Sequence, residues 1–273
     1  WILSKLNHLI WEVTDSLETY DFAHAKSIIQ SFIWNDFCDE YIEAVKYRLY
    51  TPEDSESKIS AKYALKTVIS TSLKLLSPFV PHFTEEIYQY LPEDGFKSIH
   101  ETSWPVANKD LMDDDAESLG ELGVKVIGDI RRFKSASGMP LNIQLKSTAI
   151  YTEDKMVLHH LNELENDIQG TMRIGDLKVK LGQPEIQEKV VEIIPQMNKI
   201  GPDFRKDAPL ILKYLQSHDP QIIAETLEDQ GEIQIEDLKL TREYVKTRKE
   251  IMSTTGEKVD IIHADDLVIE IIR

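Results

Sequence analysis

Apolar residues recur every three or four positions from the start of the chain. Ile2, Leu6, Leu9, Ile10 and Val13 share one side of a helix expected to run to about Ser16. Asp21 starts a second, long helix whose early apolar positions are Phe22, Ala25, Ile29, Phe32 and Ile33. Thr51-Pro52-Glu53-Asp54-Ser55 reads as a turn. A third helix is expected over about 58–77, with Ala61, Leu65, Val68, Ser72 and Leu76 on one face. Pro78 ends it, because the residue before a proline is pushed away from the α region. Pro81 then fits the first turn of a fourth helix, with Glu85 and Glu86 near its positive end. Helices of this length with short connections predict an antiparallel bundle over residues 1 to about 91.

The segment 92–115 carries turn residues and a charge run and reads as a connector, tacked onto the bundle by Trp104-Pro105. Helical spacing returns at Leu119, Leu122, Val126, Ile130 and Phe133 and stops at Gly138-Met139-Pro140. From there the period changes. Residues 141–151 alternate like a strand, 154–167 look helical, and 171–182 alternate again, interrupted at Gly175-Asp176. A strand over 190–197, helices near 206–216 and 220–229, and strands within 231–240 and 258–272 complete the pattern. The expected architecture is multidomain, α then α+β. Residues 1–115 form a helical bundle with its connector, and residues 116–273 form a linking helix and a smaller mixed α+β domain.

Composition narrows the chemistry. With 41% hydrophobic and 29% charged residues the chain is a globular protein rather than a disordered one. No apolar run approaches the roughly 20 residues needed to span a bilayer, so no membrane partner is expected. The chain begins mid-helix without an initiator methionine, which points to a piece of a longer protein. The single cysteine, Cys38, excludes an internal disulfide and a cysteine-based zinc site. Its apolar neighbours suit a small packed side chain in a reducing compartment, and the cytoplasm is the natural location. A net charge of −17 argues against a generally basic nucleic-acid surface but leaves a local basic patch open.

Catalytic templates are missing: there is no glycine-rich phosphate loop, GxSxG, HExxH or EF-hand loop. His159 and His160 are adjacent, so on a helix their rings diverge and do not suit a metal site. The stretch 32-FIWNDFCDEYIEAVK-46 is more informative. At about 100° per residue, Trp34, Phe37, Cys38, Tyr41, Ile42, Ala44 and Val45 fill one wide arc. Asn35, Asp36, Asp39, Glu40 and Glu43 fill the opposite one. On spacing alone this is an amphipathic helix with a solvated acidic face.

The wording of that stretch adds a resemblance. WNDFCDEYIEAVK (34–46), AKYALKTVISTSLKLLSPFVPHFTEEIYQYL (61–91) and HETSWP (100–105), in this order, closely resemble valyl-tRNA synthetases. Isoleucine enzymes share LLSPFVPHFTEEIY but lack the WND-FCDEYIE wording. VIGDIRRFKSASGMPLN (126–142) is similar to the arginine-bearing helix after the bundle in the archaeal-like valine enzymes. VVEIIPQMNKIGPDFRKDAPLIL (190–212) resembles a strand-turn-helix pattern in their C-terminal extensions and those of isoleucine enzymes. The likeness is strong to about residue 142 and looser beyond. It departs from bacterial valine enzymes, because no sustained heptads are present.

The resemblance implies an anticodon-binding bundle whose partners are tRNA for valine and the catalytic core of the same polypeptide. The HIGH and KMSKS signatures and an editing domain do not occur, so no catalytic residue is assigned to this chain. No cofactor is expected here, and ATP with magnesium is implied for the full-length ligase. RNA loops are read by aromatic stacking and by hydrogen bonds to unstacked bases. A carboxylate suits the cytosine amino group and an amide suits adenine. The base-reading candidates are therefore Trp34, Asn35, Asp39, Tyr41 and Glu43. Carboxylates cannot attract phosphate, so they serve as base readers or orient a neighbouring arginine. Arg131, Arg132, Lys134 and Lys146 are the candidate backbone contacts, with Arg242, Lys246, Arg248 and Lys249 a more diluted second cluster. Each group also has a plain structural reading, as core side chains or solvated helix faces. A protein-interaction scaffold without RNA binding remains the alternative, and an enzyme with an unrecognised acidic site a third.

Overall fold

The computed structural model describes residues 1–50, 55–91, 95–254 and 256–273. Helix α1 (Ile2–Glu18) buries Ile2, Leu6, Leu9, Ile10 and Val13, the stripe its spacing dictates. A short turn leads to α2 (Phe22–Ser31), where the Asp21 carboxylate accepts from the His24 backbone N–H at 3.0 Å and caps the new helix. The chain then winds as a π-helix over Phe32–Tyr41 and returns to α geometry in α3 (Ile42–Leu49). Backbone angles at both junctions are right-handed helical, so residues 22–49 form one continuous rod.

The expected turn at Thr51–Ser55 lies outside the described residues except for Ser55. Its hydroxyl accepts from Lys58 N–H and caps α4 (Glu56–Leu76). Pro81 opens α5 (Pro81–Tyr88) at its first position. The expected connector is described from residue 95 onward. The Trp104 indole N–H donates to Thr14 Oγ1 at 2.9 Å, and the Asn108 N–H donates to Asn7 Oδ1 at 2.8 Å, which fastens it along α1. Helices α1 to α4, with the π segment, share an apolar core of Leu6, Val13, Ala25, Ile29, Phe32, Val68 and Leu75, among others, while Tyr88 of α5 packs with Leu73 and Ile99 in a smaller cluster. Each fully buried aliphatic side chain of this kind contributes about 1.5–3 kcal/mol.

Helix α6 (Asp114–Ala136) bridges the bundle and the next core. Near its start, Glu117 accepts from Ser4 Oγ and lies 2.8 Å from His8 Nδ1, while Val126, Ile127 and Ile130 pack into the next core. That core sits under a mixed sheet whose strands lie in the spatial order Ile174–Leu181, Leu145–Thr152, Leu267–Ile272 and Asp260–Ala264. Strand β1 (Leu145–Thr152) leads through α7 (Lys155–Glu163) and α8 (Glu165–Met172) to β2 (Ile174–Leu181), parallel to β1. The last strands, β7 (Asp260–Ala264) and β8 (Leu267–Ile272), return to the sheet antiparallel, with β8 beside β1.

Between β2 and β7 the chain builds a third core. Strand β3 (Ile186–Pro195) pairs antiparallel with β6 (Val245–Ser253), with a register shift between Val190 and Glu192. Helices α9 (Met197–Phe204), α10 (Ala208–Ser217) and α11 (Pro220–Asp229) pack there with the hairpin β4 (Glu232–Ile235) and β5 (Leu238–Thr241). Residues 116–273 therefore surround two apolar cores.

Three local expectations change. The first strand starts at Leu145, because residues 141–144 are held as a turn by contacts described below. Gly175 does not interrupt β2; its bare α-carbon lets β2 approach β1, and a Cβ there would lie 2.6 Å from the Lys146 carbonyl oxygen. Helix α9, which begins at Met197 inside the stretch expected to be strand, and strand β6 were not foreseen. Pro202 inside α9 and the charge-rich wording of β6 hide both from period counting.

Candidate nucleic-acid interface

In α winding Trp34 falls on the apolar arc with Phe37, Tyr41 and Val45. The π segment changes that. With i→i+5 bonding, Phe37 lies one turn above Phe32, and Tyr41 closes the same buried line. The Phe37 and Tyr41 rings stack with centroids 6.3 Å apart, and Tyr41 meets Trp1 edge-on at 5.7 Å. Trp34, two residues beyond Phe32, turns away from this line and is 60% exposed. Asp39 follows Trp34 by five residues, so the same winding puts it one turn along the outward face, with Asn35 beside both. Asn35 and Asp39 are exposed, and the Asn35 amide donates to Ser31 Oγ at 3.1 Å. Trp34, Asn35 and Asp39 thus form one exposed face, offering an aromatic plane, an amide and a carboxylate.

Tyr41 leaves the candidate set: at 8% exposure, between Phe37 and Trp1, its ring has no face for a base. Burial also raises its hydroxyl above the ordinary tyrosine value. The other acids of the polar arc do not share that face: two are paired and Glu40 is half-buried. Asp36 pairs with Lys5 of α1 at 2.8 Å, and Lys5 reaches Glu121 of α6 at 3.2 Å. Burial opposes the Lys5 charge, but hydrogen bonds to these two carboxylates outweigh it and hold the ammonium above its usual value. Glu40 is half-buried; desolvation, helped by nearby Asp36, lifts its carboxyl above the ordinary range. Glu43 bridges Lys46 and Arg131, accepting from Arg131 Nη2 at 2.8 Å. Burial pushes the Glu43 carboxyl up, yet the two cations win and keep it below the glutamate range. Glu43 is thus a carboxylate that orients an arginine.

The proposed basic cluster separates. Lys134 is fully buried, and its ammonium donates to the carbonyls of Met172 at 2.7 Å, Ile143 at 2.8 Å and Leu141 at 3.3 Å. Burial, with Arg173 nearby, lowers it from the ordinary lysine value. A lysine used this way ties the 141–144 turn to α8 and cannot reach a phosphate. Arg131 is half-buried against Glu43. Arg132 is exposed and held by Asp129, whose other carboxylate oxygen is buried without a hydrogen-bond partner. Lys146 lies on β1, paired with Glu257. In the second cluster, Arg248 and Lys249 of β6 pair with Glu192 and Glu188 of β3, and Arg242 lies 3.9 Å from Glu228.

Sequence reasoning missed the joint between the bundle and the second core. The Tyr47 hydroxyl donates to Asp167 at 2.5 Å and Arg48 Nε donates to the same oxygen at 3.0 Å. Thr171 Oγ1 donates to the Ala44 carbonyl at 2.9 Å. Burial and the bond to Asp167 push the Tyr47 hydroxyl up to about 12. The partners lie more than a hundred residues apart, and no local signal joins them. Among the described residues, no three His, Cys, Asp or Glu side chains converge to hold a metal ion, and no helix is long and apolar enough to cross a membrane.

The family described as the anticodon-binding domain of tRNA ligase matches residues 1–150. Valine–tRNA ligase of Methanothermobacter thermautotrophicus is 48% identical over 275 residues, covering all of this chain and 31% of that protein. Valine–tRNA ligase of Pyrococcus horikoshii is 42% identical, over 98% of this chain and 30% of that protein. The Methanosarcina acetivorans counterpart is 37% identical over the whole chain and 30% of its own length. The chain spans about three-tenths of the length of these relatives.

Proposed function

The chain belongs to the anticodon-binding domain family of tRNA ligases, and from that premise we propose that it binds and positions the tRNA for valine within a valine–tRNA ligase. Its helical part is read as the antiparallel bundle of class I synthetases. The observation that carries the proposal is the outward face of the π segment: Trp34 exposed, with Asn35 and Asp39 in register beside it. An unstacked base lies on the indole. The Asp39 carboxylate accepts from a cytosine amino group, and the Asn35 amide pairs with adenine. Glu43 serves indirectly, by holding Arg131 in place, and the exposed Arg132 and Lys146 remain candidates for phosphate contact. Ligation of valine with ATP and magnesium, in the cytoplasm, belongs to the full-length protein and its catalytic core. No step of that reaction is assigned to residues of this chain.

The test is a titration with valine tRNA and with an unrelated tRNA at fixed moderate salt. Stacking on one aromatic is worth about 1–3 kcal/mol per base, so Trp34→Ala lowers affinity for valine tRNA roughly 5- to 150-fold. Asp39→Ala and Asn35→Ala narrow the preference over the unrelated tRNA. Unchanged affinity and preference in all three folded variants removes this face from the site.

A further inference from the structure

We propose that Lys5 of α1 is a positioning residue for RNA recognition, because it holds the π winding that turns Trp34, Asn35 and Asp39 outward; this rests on the base-reading face described above. In α winding, at about 100° per residue, Phe32 and Phe37 would lie about 140° apart and could not share one buried line. The i→i+5 bonds set one above the other. Such winding is ordinarily confined to single turns, and here it runs over the ten residues Phe32–Tyr41. A run of that length keeps its register only while side chains fix it against its neighbours.

Lys5 grips the segment from two directions. Its ammonium donates to Asp36 Oδ1 at 2.8 Å, and Asp36 stands beside the buried line, one position before Phe37. The same ammonium lies 5.6 Å from the centre of the Trp1 ring, which meets Tyr41 edge-on, and Tyr41 in turn stacks on Phe37. It also reaches Glu121 of α6 at 3.2 Å, so the π segment is fixed to α1 and α6 together. The Lys5 and Asp36 side chains are 21% and 24% exposed, and a pair this far from solvent is screened less than a surface one. Glu40 follows along the same edge, where desolvation and then Asp36 raise its carboxyl, Glu121 adds to this and Lys5 opposes it. Without the Lys5 charge, the carboxylates of Asp36, Glu40 and Glu121 repel one another and push the segment off its supports. Winding back towards i→i+4 then carries Trp34 to the side of Phe37 and Tyr41 and sets it about 140° from Asp39.

The experiment titrates the 273-residue chain with a valine tRNA transcript and an unrelated tRNA across a salt series. Lys5→Met and Asp36→Ala each lower affinity for valine tRNA at least about 5-fold, the lower bound for one stacked base, and narrow the preference over the unrelated tRNA. The slope of log affinity against log salt stays at the wild-type value, because no phosphate contact is removed. The two substitutions change the net charge in opposite directions, so a loss shared by both is not a charge effect. Lys5→Arg keeps the ion pair and retains both affinity and preference. Cys38, the single cysteine, is half-buried within the π segment and reports its winding directly. A thiol reagent labels it faster in Lys5→Met and Asp36→Ala, and at the wild-type rate in Lys5→Arg, with helicity by circular dichroism retained. Should Lys5→Met fail to fold, Asp36→Ala decides the matter. Wild-type affinity and preference in both variants, beside a narrowed preference in Asp39→Ala, overturns the role of Lys5 and leaves the base-reading face standing. Equal weakening of both tRNAs at a lower salt slope, in Lys5→Met alone, makes Lys5 a phosphate contact and overturns it as well. Unchanged binding in Trp34→Ala, Asn35→Ala and Asp39→Ala removes the face, and this inference with it.

Discussion

Side chains that look alike in the sequence take opposite roles here. Arg131, Arg132 and Lys134 sit within four positions, yet one clamps Glu43, one faces solvent and one is enclosed by three carbonyls. Burial without a partner would expel the Lys134 charge, so its place depends on those carbonyls. Glu43 gives a measurable consequence. Its carboxyl titrates below the unfolded value of about 4.3, because Lys46 and Arg131 favour the ionised form against desolvation. The ionised group therefore contributes stability above that value, and the contribution is lost as pH falls through the folded pKa. Denaturation of wild type and Glu43→Gln from pH 7 to pH 3 should show a stability gap that closes in the acid range. A gap constant with pH would mean that the bridge adds nothing electrostatic.

At the scale of elements, the π segment and the β1–β2 pair show how one residue's geometry directs a whole element. The π winding moves Trp34 out of the core line and places it with Asp39 and Asn35, which is the whole basis of the candidate face. In β2, Gly175 permits the close parallel pairing that roofs the second core. Gly175→Ala forces a methyl to within 2.6 Å of the Lys146 carbonyl oxygen unless the strands part. Overpacking of this kind costs about 1–3 kcal/mol, seen as a lower urea midpoint at unchanged m-value. A wild-type midpoint would show that the pair has slack the structure does not display.

Across the whole molecule, α3, the continuation of the π segment, is also the element that docks the second core. Asp167 accepts from Tyr47 and Arg48, and Tyr47 lies so close to Gly170 that a Cβ there would come within 2.4 Å of its ring. The rod that carries the proposed base-reading face is thus joined to the rest of the chain by the Asp167 carboxylate, by the Thr171 hydroxyl on the Ala44 carbonyl and by Glu43 on Arg131. Asp167→Ala leaves a half-buried arginine and hydroxyl without that acceptor, a loss of about 1–3 kcal/mol. Calorimetry of the variant should show the bundle and the second core melting in separate steps. A single transition at the wild-type temperature would mean that the remaining contacts hold the joint.

Much of the helical region was legible because its signals are local. The α1 stripe, the Asp21 cap, Pro81 at a helix start and the Trp104 anchor each depend on a few neighbouring residues and appear where expected. The wording of residues 34–46 identified the family without any geometry. What the sequence could not determine depended on winding and on distant partners. A wheel of fixed pitch has no means to foresee a π segment, so spacing alone sets Trp34 on the apolar arc and keeps Tyr41 among the readers. Residue type alone does not say whether a lysine meets solvent or, as Lys134 does, three carbonyls from a turn and another helix. Sequence by itself determined the family, the order of elements and the stripes that bury them. Tertiary structure decided which polar groups remain outside, because burial and pairing are properties of the assembled neighbours.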